Sequence, residues 1–130
     1  MSRPSDYLYT TTHEWLKVDG DVVSVGITDF AQNELTDIVF VELPEIGRMV
    51  SKGDATAVVE SVKTASDIYA PIAGEIVEVN TALSETPELI NEDPFGQGWI
   101  YKVKADAAFE KESYLDSASY GAATEAGEHS

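Results

Sequence analysis

Apolar and polar positions alternate in short runs along most of the chain, and turn-forming residues punctuate them. Trp15 to Val18 and Val22 to Val25 flank Asp19-Gly20-Asp21. An Asp-Gly pair between two β-rich runs predicts a hairpin, because glycine supplies the backbone freedom that a tight reversal needs. Thr28 precedes Asp29 to Leu35, a segment without Gly or Pro, so Thr28 or Asp29 is placed to cap one or two helical turns. Strand-forming residues return at Ile38 to Leu43 and stop at Pro44.

The chain then resembles itself. Laying Pro44 to Gly53 over Pro71 to Asn80 matches Pro44 with Pro71, Gly47 with Gly74 and Val50 with Val77, and each copy reads as a Pro-Gly turn leading into a strand. Between the copies lie two β-rich runs, Ala55 to Ser61 and Ser66 to Tyr69, joined through Val62, Lys63, Thr64 and Ala65. A longer hairpin connection built around a type I turn accepts such ordinary residues. Pro87 to Gly98 is rich in turn formers, and Trp99 to Lys104 reads as a last strand. Beyond it Ala, Glu and Ser dominate. The segment from about 105 to 126 is expected to be helical, with one helix over Ala107 to Leu115 and a second, short one over Ser117 to Ala126, before a disordered end.

These elements make a mainly β fold, and a length of 130 residues suits a single domain over 1–130 with its core at about 7–104. The absence of Cys excludes disulfides and protein thiol chemistry. Neither a secretory signal nor an Arg-rich transit peptide is visible at Met1 to Tyr9, which favours a cytoplasmic protein, or a mitochondrial matrix protein already processed. Twenty-four acidic against eight basic residues give a formal charge of −16, a sign that repels nucleic acid and anionic membrane surfaces. The same field attracts proteins with basic docking patches, and it equally serves solubility alone.

Chemistry is sparse. His13 and His129 lie near opposite ends and offer no metal centre, and the glycines form no phosphate-binding pattern. Carboxylate pairs are expected by chance in so acidic a chain. What remains is Lys63, at the apex of a hairpin between Glu60 and Asp67. An ammonium held in a solvated turn is a poor base or Schiff-base former at neutral pH. It is nevertheless open to acylation by a separate ligase, which would make it the root of a long flexible arm.

Five blocks, in order, carry a resemblance: YTTTHEW (Tyr9 to Trp15), VGITDFAQ (Val25 to Gln32), DIVFVELPEIG (Asp37 to Gly47), VVESVKTASDIYAPIAGEIVEVN (Val58 to Asn80) and LINEDPFGQGW (Leu89 to Trp99). Through them the chain resembles the H-protein family of the glycine cleavage system. The resemblance implies a lipoyl/biotinyl-type barrel-sandwich of two small antiparallel sheets with short appended helices, including a C-terminal helix. It also implies a non-catalytic carrier with lipoate joined covalently to Lys63, and with Glu60 and Asp67 as acidic neighbours read by the ligase. An acidic cleft would shelter the loaded arm, a role that falls to Glu14, with Thr12 and Asp67 beside it. His13 and Trp15 are assigned to packing, and Pro71, Gly47 and Gly74 to turns.

The partners implied are a pyridoxal-phosphate glycine decarboxylase, a tetrahydrofolate-dependent aminomethyltransferase, a flavin-dependent dihydrolipoyl dehydrogenase and a lipoyl ligase or transferase. A monomer suits a shuttle that presents its tip to unlike partners. Thr36 departs from the family pattern, standing where relatives often have Gly, and the tail after Tyr120 is idiosyncratic. Biotin carriers set their lysine between two Met residues, whereas Val62 and Thr64 flank Lys63, and the lipoyl domains of 2-oxoacid dehydrogenases typically show DKA at the lysine and lack a THEW-like block. Two further readings remain open from the residues: an H-like protein that relays lipoate to other lipoyl domains, and an interaction module without a prosthetic group.

Overall fold

The computed structural model describes residues 7–105 and 114–121. Among the described residues the elements follow in the order β1 (Leu8–Tyr9), β2 (Glu14–Asp19), β3 (Val22–Ile27), α1 (Asp29–Leu35), β4 (Ile38–Glu42), β5 (Met49–Val50), β6 (Ala55–Ser61), β7 (Ala65–Tyr69), β8 (Gly74–Val79), α2 (Ala82–Glu85), α3 (Leu89–Glu92) and β9 (Tyr101–Ala105), with a further helical turn at 117–121. One antiparallel sheet has the order β1-β2-β3-β9-β8-β5 and the other β4-β6-β7. Their facing sides share one apolar core that includes Leu16, Val25, Ile76 and Val103 from the first sheet and Val41, Val59 and Ile68 from the second. This is the expected sandwich of two antiparallel sheets with short helices.

The local signals hold where they were strongest. Asp19 pairs with Val22 across Gly20-Asp21, and Gly20 takes a φ of 65°. Thr28 caps α1, its hydroxyl accepting the Ala31 N–H. Thr36 closes the same helix by donating its N–H to the Gln32 carbonyl, and it does so at φ 64° and ψ −139°, a conformation that favours glycine over a β-branched residue.

A second, smaller core lies on the other face of the large sheet, where Tyr9, Trp15, Phe95 and Tyr120 pack together. The Trp15 indole lies over Gly26, where an added Cβ would come within 2.6 Å of the ring, and its N–H donates to the Pro94 carbonyl at 2.8 Å. Both faces of β2 are therefore covered at its start, which accounts for the run Glu14, Trp15 and Leu16 being buried without alternation.

Several expectations change. Gly74 is not a turn former. It opens β8, and a Cβ there would stand 2.1 Å from the Lys104 carbonyl oxygen, so the requirement is close approach of the β9 backbone. The two self-similar segments do pair with each other, Met49 with Glu75 and Val50 with Gly74, but as strands of unequal length. The stretch read as turns contains the helical turn α3, preceded by α2; each buries one apolar anchor, Ile90 and Leu83, too short a pattern to show helical period. The last strand begins at Tyr101, because the buried Asn80 side chain donates to the Gln97 and Trp99 carbonyls and engages the Trp99 carbonyl outside the ladder. Of the helix expected over Ala107 to Leu115, only Tyr114 and Leu115 fall among the described residues. Tyr114 lies in a bend and Leu115 in an isolated bridge, exchanging two main-chain hydrogen bonds of 2.8 Å with Tyr9 on the free edge of β1. A helical turn is present at 117–121; the rest of the expected second helix and the expected disordered end lie outside the described residues.

Two substitutions test these backbone assignments by their denaturant midpoints. Thr36→Gly is expected to stabilise the chain by about 1 kcal/mol by relieving the left-handed conformation. Gly74→Ala is expected to destabilise it by about 3 kcal/mol, because a backbone carbonyl cannot yield as a side-chain tip does.

Candidate functional site

Lys63 lies on the three-residue connection between β6 and β7. Its turn is fixed from within: Ser61 N–H donates to the Thr64 carbonyl at 2.7 Å, and the Ser61 hydroxyl oxygen accepts the N–H groups of Lys63 and Thr64. Sequence reasoning missed this role of Ser61, although a Ser three residues before a Thr in a Gly-free turn is a usable signal for such local bonding. The Lys63 side chain is exposed and, among the described residues, makes no hydrogen bond or ion pair. Main chain is held while the amine is free.

Glu60 sits one step from the turn, opposite Ala65, and shares the outer face of the small sheet with Phe40. A bulge at Val39 turns Val39 and Phe40 outward together, and with Val62 they expose apolar surface around the acidic tip. Asp67 stands farther down the hairpin, opposite Val58. Glu60 and Asp67 thus lie on one sheet face at different distances from the lysine.

Asp67 also lines a cleft of about 150 Å³ between the edge strand β7 and the first sheet. Thr12 and His13 form one wall, Phe30, Ala31 and Glu34 of α1 another, and Ser66 and Ile68 complete the side formed by β7. The structure therefore brings Thr12 and Asp67 together. Glu14 lies behind them, 2% exposed, on the core-facing side of β2 that it shares with Leu16. Alternation along Glu14-Trp15-Leu16-Lys17-Val18 carries that signal, since it sets a carboxylate in line with two apolar residues.

The carboxylate is not left bare. Thr10 and Thr12 donate their hydroxyls to Glu14 Oε1 at 2.7 and 2.5 Å, and Thr10 Oγ1 accepts the Glu14 N–H at 3.0 Å. Burial still pushes the Glu14 pKa above the usual carboxylate range, and the two hydroxyls, followed by the backbone N–H of Tyr69, oppose that rise without cancelling it. Near it lies the buried Tyr101 phenol, raised in pKa mainly by that burial, which the Thr56 hydroxyl beside it opposes without cancelling. A charge so placed is under-compensated, and a cationic partner would offset it. Among the described residues no cluster of His, Asp and Glu could hold a metal ion, and no helix is long and apolar enough to cross a membrane.

His13 is more than packing. It has a φ of 71°, its ring lies 4.6 Å from that of Phe30, and its Nδ1 is 2.6 Å from the Tyr120 hydroxyl. Nothing in the sequence pairs two residues so far apart.

Comparison with known proteins gives a consistent result. The family model described as glycine cleavage H-protein matches residues 7–127. A glycine cleavage system H protein of Thermus thermophilus is 61% identical over 120 residues, spanning 92% of this chain and 94% of that protein. One from Acinetobacter baumannii is 55% identical over 122 residues, covering 94% and 98% respectively. The crystal structure of a glycine cleavage system H protein from Mycobacterium marinum superposes with a TM-score of 0.86 at 44% identity, over 95% of this chain and 99% of that one.

The raised Glu14 pKa has a signed consequence. The folded chain binds that proton more tightly than the unfolded chain, so ionisation costs stability: nothing below the ordinary carboxylate range, and the full amount once pH exceeds the raised value. Glu14→Gln keeps an oxygen for the Thr10 and Thr12 hydroxyls and removes the charge. It is expected to melt above the parent at about pH 8, with the gap closing as pH falls below about 4. Thermal scans across that range check it, and a lower melting temperature at the alkaline end would contradict it.

Proposed function

Because the chain belongs to the glycine cleavage H-protein family, we propose that Lys63 is its lipoyl attachment point and that Thr12, Asp67 and Glu14 receive the cationic end of the loaded arm. The protein is a carrier subunit and not itself an enzyme. It serves the pyridoxal-phosphate glycine decarboxylase, the tetrahydrofolate-dependent aminomethyltransferase and the flavin-dependent dihydrolipoyl dehydrogenase, and it receives lipoate from a lipoyl ligase or transferase.

The residues fit the group. When attached, lipoate supplies the redox-active sulfur pair that this Cys-free chain lacks. Lys63 contributes an exposed amine, and Ser61 holds the turn so that a ligase meets a fixed backbone. Glu60 and Asp67 are read as the acidic marks by which the ligase finds this lysine. Behind the cleft, Thr12 and Thr10 orient Glu14, whose carboxylate would compensate a positive amine more strongly than water at that depth. We read the chain as one unit over 1–130 acting as a monomer, and its bacterial relatives support a cytoplasmic location.

The observation that carries this reading is the solvent-facing Lys63 ammonium, unpaired among the described residues, on a hydrogen-bonded turn. Intact mass after treatment with a lipoyl ligase is expected to rise by one lipoyl group, and Lys63→Arg, which keeps the charge but cannot form the amide, is expected to gain nothing. In a reconstituted system the lipoylated chain is expected to support glycine decarboxylation and exchange. Lipoyl transfer to an acceptor domain without such turnover would replace the glycine role with lipoate relay.

A further inference from the structure

Both walls of the cleft end on one hydroxyl from the opposite end of the sequence. Tyr120, on the helical turn at 117–121, places its oxygen 2.6 Å from His13 Nδ1 and 2.6 Å from Thr28 Oγ1. His13 lies between Thr12, which lines the cleft, and the buried Glu14 that Thr12 bonds, and Thr28, fully buried, caps the helix whose Phe30 and Ala31 form the facing wall. With Tyr120 donating to Nδ1, a single direction of donation runs from the Ala31 N–H through Thr28 and Tyr120 to His13. The Thr28 N–H donates to the His13 carbonyl at 3.0 Å, so the two walls are also joined through main chain.

Tyr120 is itself anchored. It is 1% exposed, stacks on Tyr9 with ring centroids 5.1 Å apart, and meets the His13 ring edge-on. Its turn is closed by Asp116, which accepts the Tyr120 N–H through its carbonyl and the Ser119 N–H through its carboxylate. That carboxyl, made more acidic by the Ser119 backbone bond, stays charged at the start of the turn. Leu115 ties the same segment to β1. A non-glycine residue at a φ of 71° needs such support, because His13 gains little from that conformation by itself.

We propose that Tyr120 is a positioning residue for the arm cleft: through His13 it sets the loop that presents Thr12 and Glu14, and through Thr28 it sets α1 against that loop. This deepens the carrier reading and rests on it for its functional meaning, while the clamp itself is a property of the unmodified chain. The described C-terminal residues are thereby part of the site although none of them lines the cleft.

The test uses the full chain. Tyr120→Phe keeps the stack on Tyr9 and removes both hydroxyl contacts; His13→Gly accepts the left-handed backbone and removes the same bond from the other side. In the unmodified protein, exchange of the His13, Glu14 and Thr28 amides is expected to accelerate about tenfold in Tyr120→Phe, with the Ser61 and Val62 amides at the hairpin tip unchanged. The His13 Nδ1 nitrogen resonance is expected to lose its hydrogen-bonded position in the same variant, a change that general loosening would not produce. Combining the two substitutions is expected to add little to either alone. After lipoylation, which Tyr120→Phe is expected to accept as readily as the parent, glycine exchange is expected to fall several-fold. Unchanged exchange at His13 and Glu14, or fully additive effects in the double variant, would overturn the clamp. Should the parent chain itself fail in glycine exchange, the carrier reading falls, and the amide and nitrogen measurements still decide the clamp.

Discussion

A solvent-facing turn keeps a fixed place only if the strands beneath it cannot slide, and here that constraint is met by the dry seam between the two sheets. Val41, Val59 and Ile68 of the small sheet enter the same core as Val25, Ile76 and Val103 of the large one. Each such side chain, fully buried, stabilises the fold by roughly 1.5–3 kcal/mol. A one-residue slip of β6 or β7 would exchange these apolar residues for Glu60 and Asp67, so the register of the hairpin, and with it the position of Lys63, is locked by burial. The bonds of Ser61 then refine a placement that the seam has already imposed.

Features made by neighbours in sequence were legible, and features made by distant partners were not. Gly20 announces its hairpin and Thr28 its helix, because a turn conformation and a cap are decided within four residues. Lys63 stood out for the same reason. The place of Gly74 depends on the Lys104 carbonyl, and the bridge at Leu115 depends on the free edge of β1, neither of which has a local signature. His13 looked like packing because its partner Tyr120 is 107 positions away. The helical turns α2 and α3 escaped notice because each contributes one buried anchor and no period.

Glu14 departs from the folding rules that the rest of its strand obeys. Alternation assigns its position to an apolar side chain, and two threonine hydroxyls make a carboxylate tolerable there without making it comfortable. The chain thus stores unmet electrostatic demand next to a cleft, in a molecule already carrying a formal charge of −16. Leu or Val in its place would fill the position without that demand.

The stiffness of the three-residue turn has a mechanical meaning for anything grafted onto Lys63. A tether rooted in a mobile loop would wander with its base, and its far end would be diluted over a correspondingly larger volume. Rooted in a turn closed by Ser61, the tether pivots about a nearly stationary point, so its own length sets the radius it sweeps. Any entrance within that radius then meets the far end at a concentration fixed by geometry.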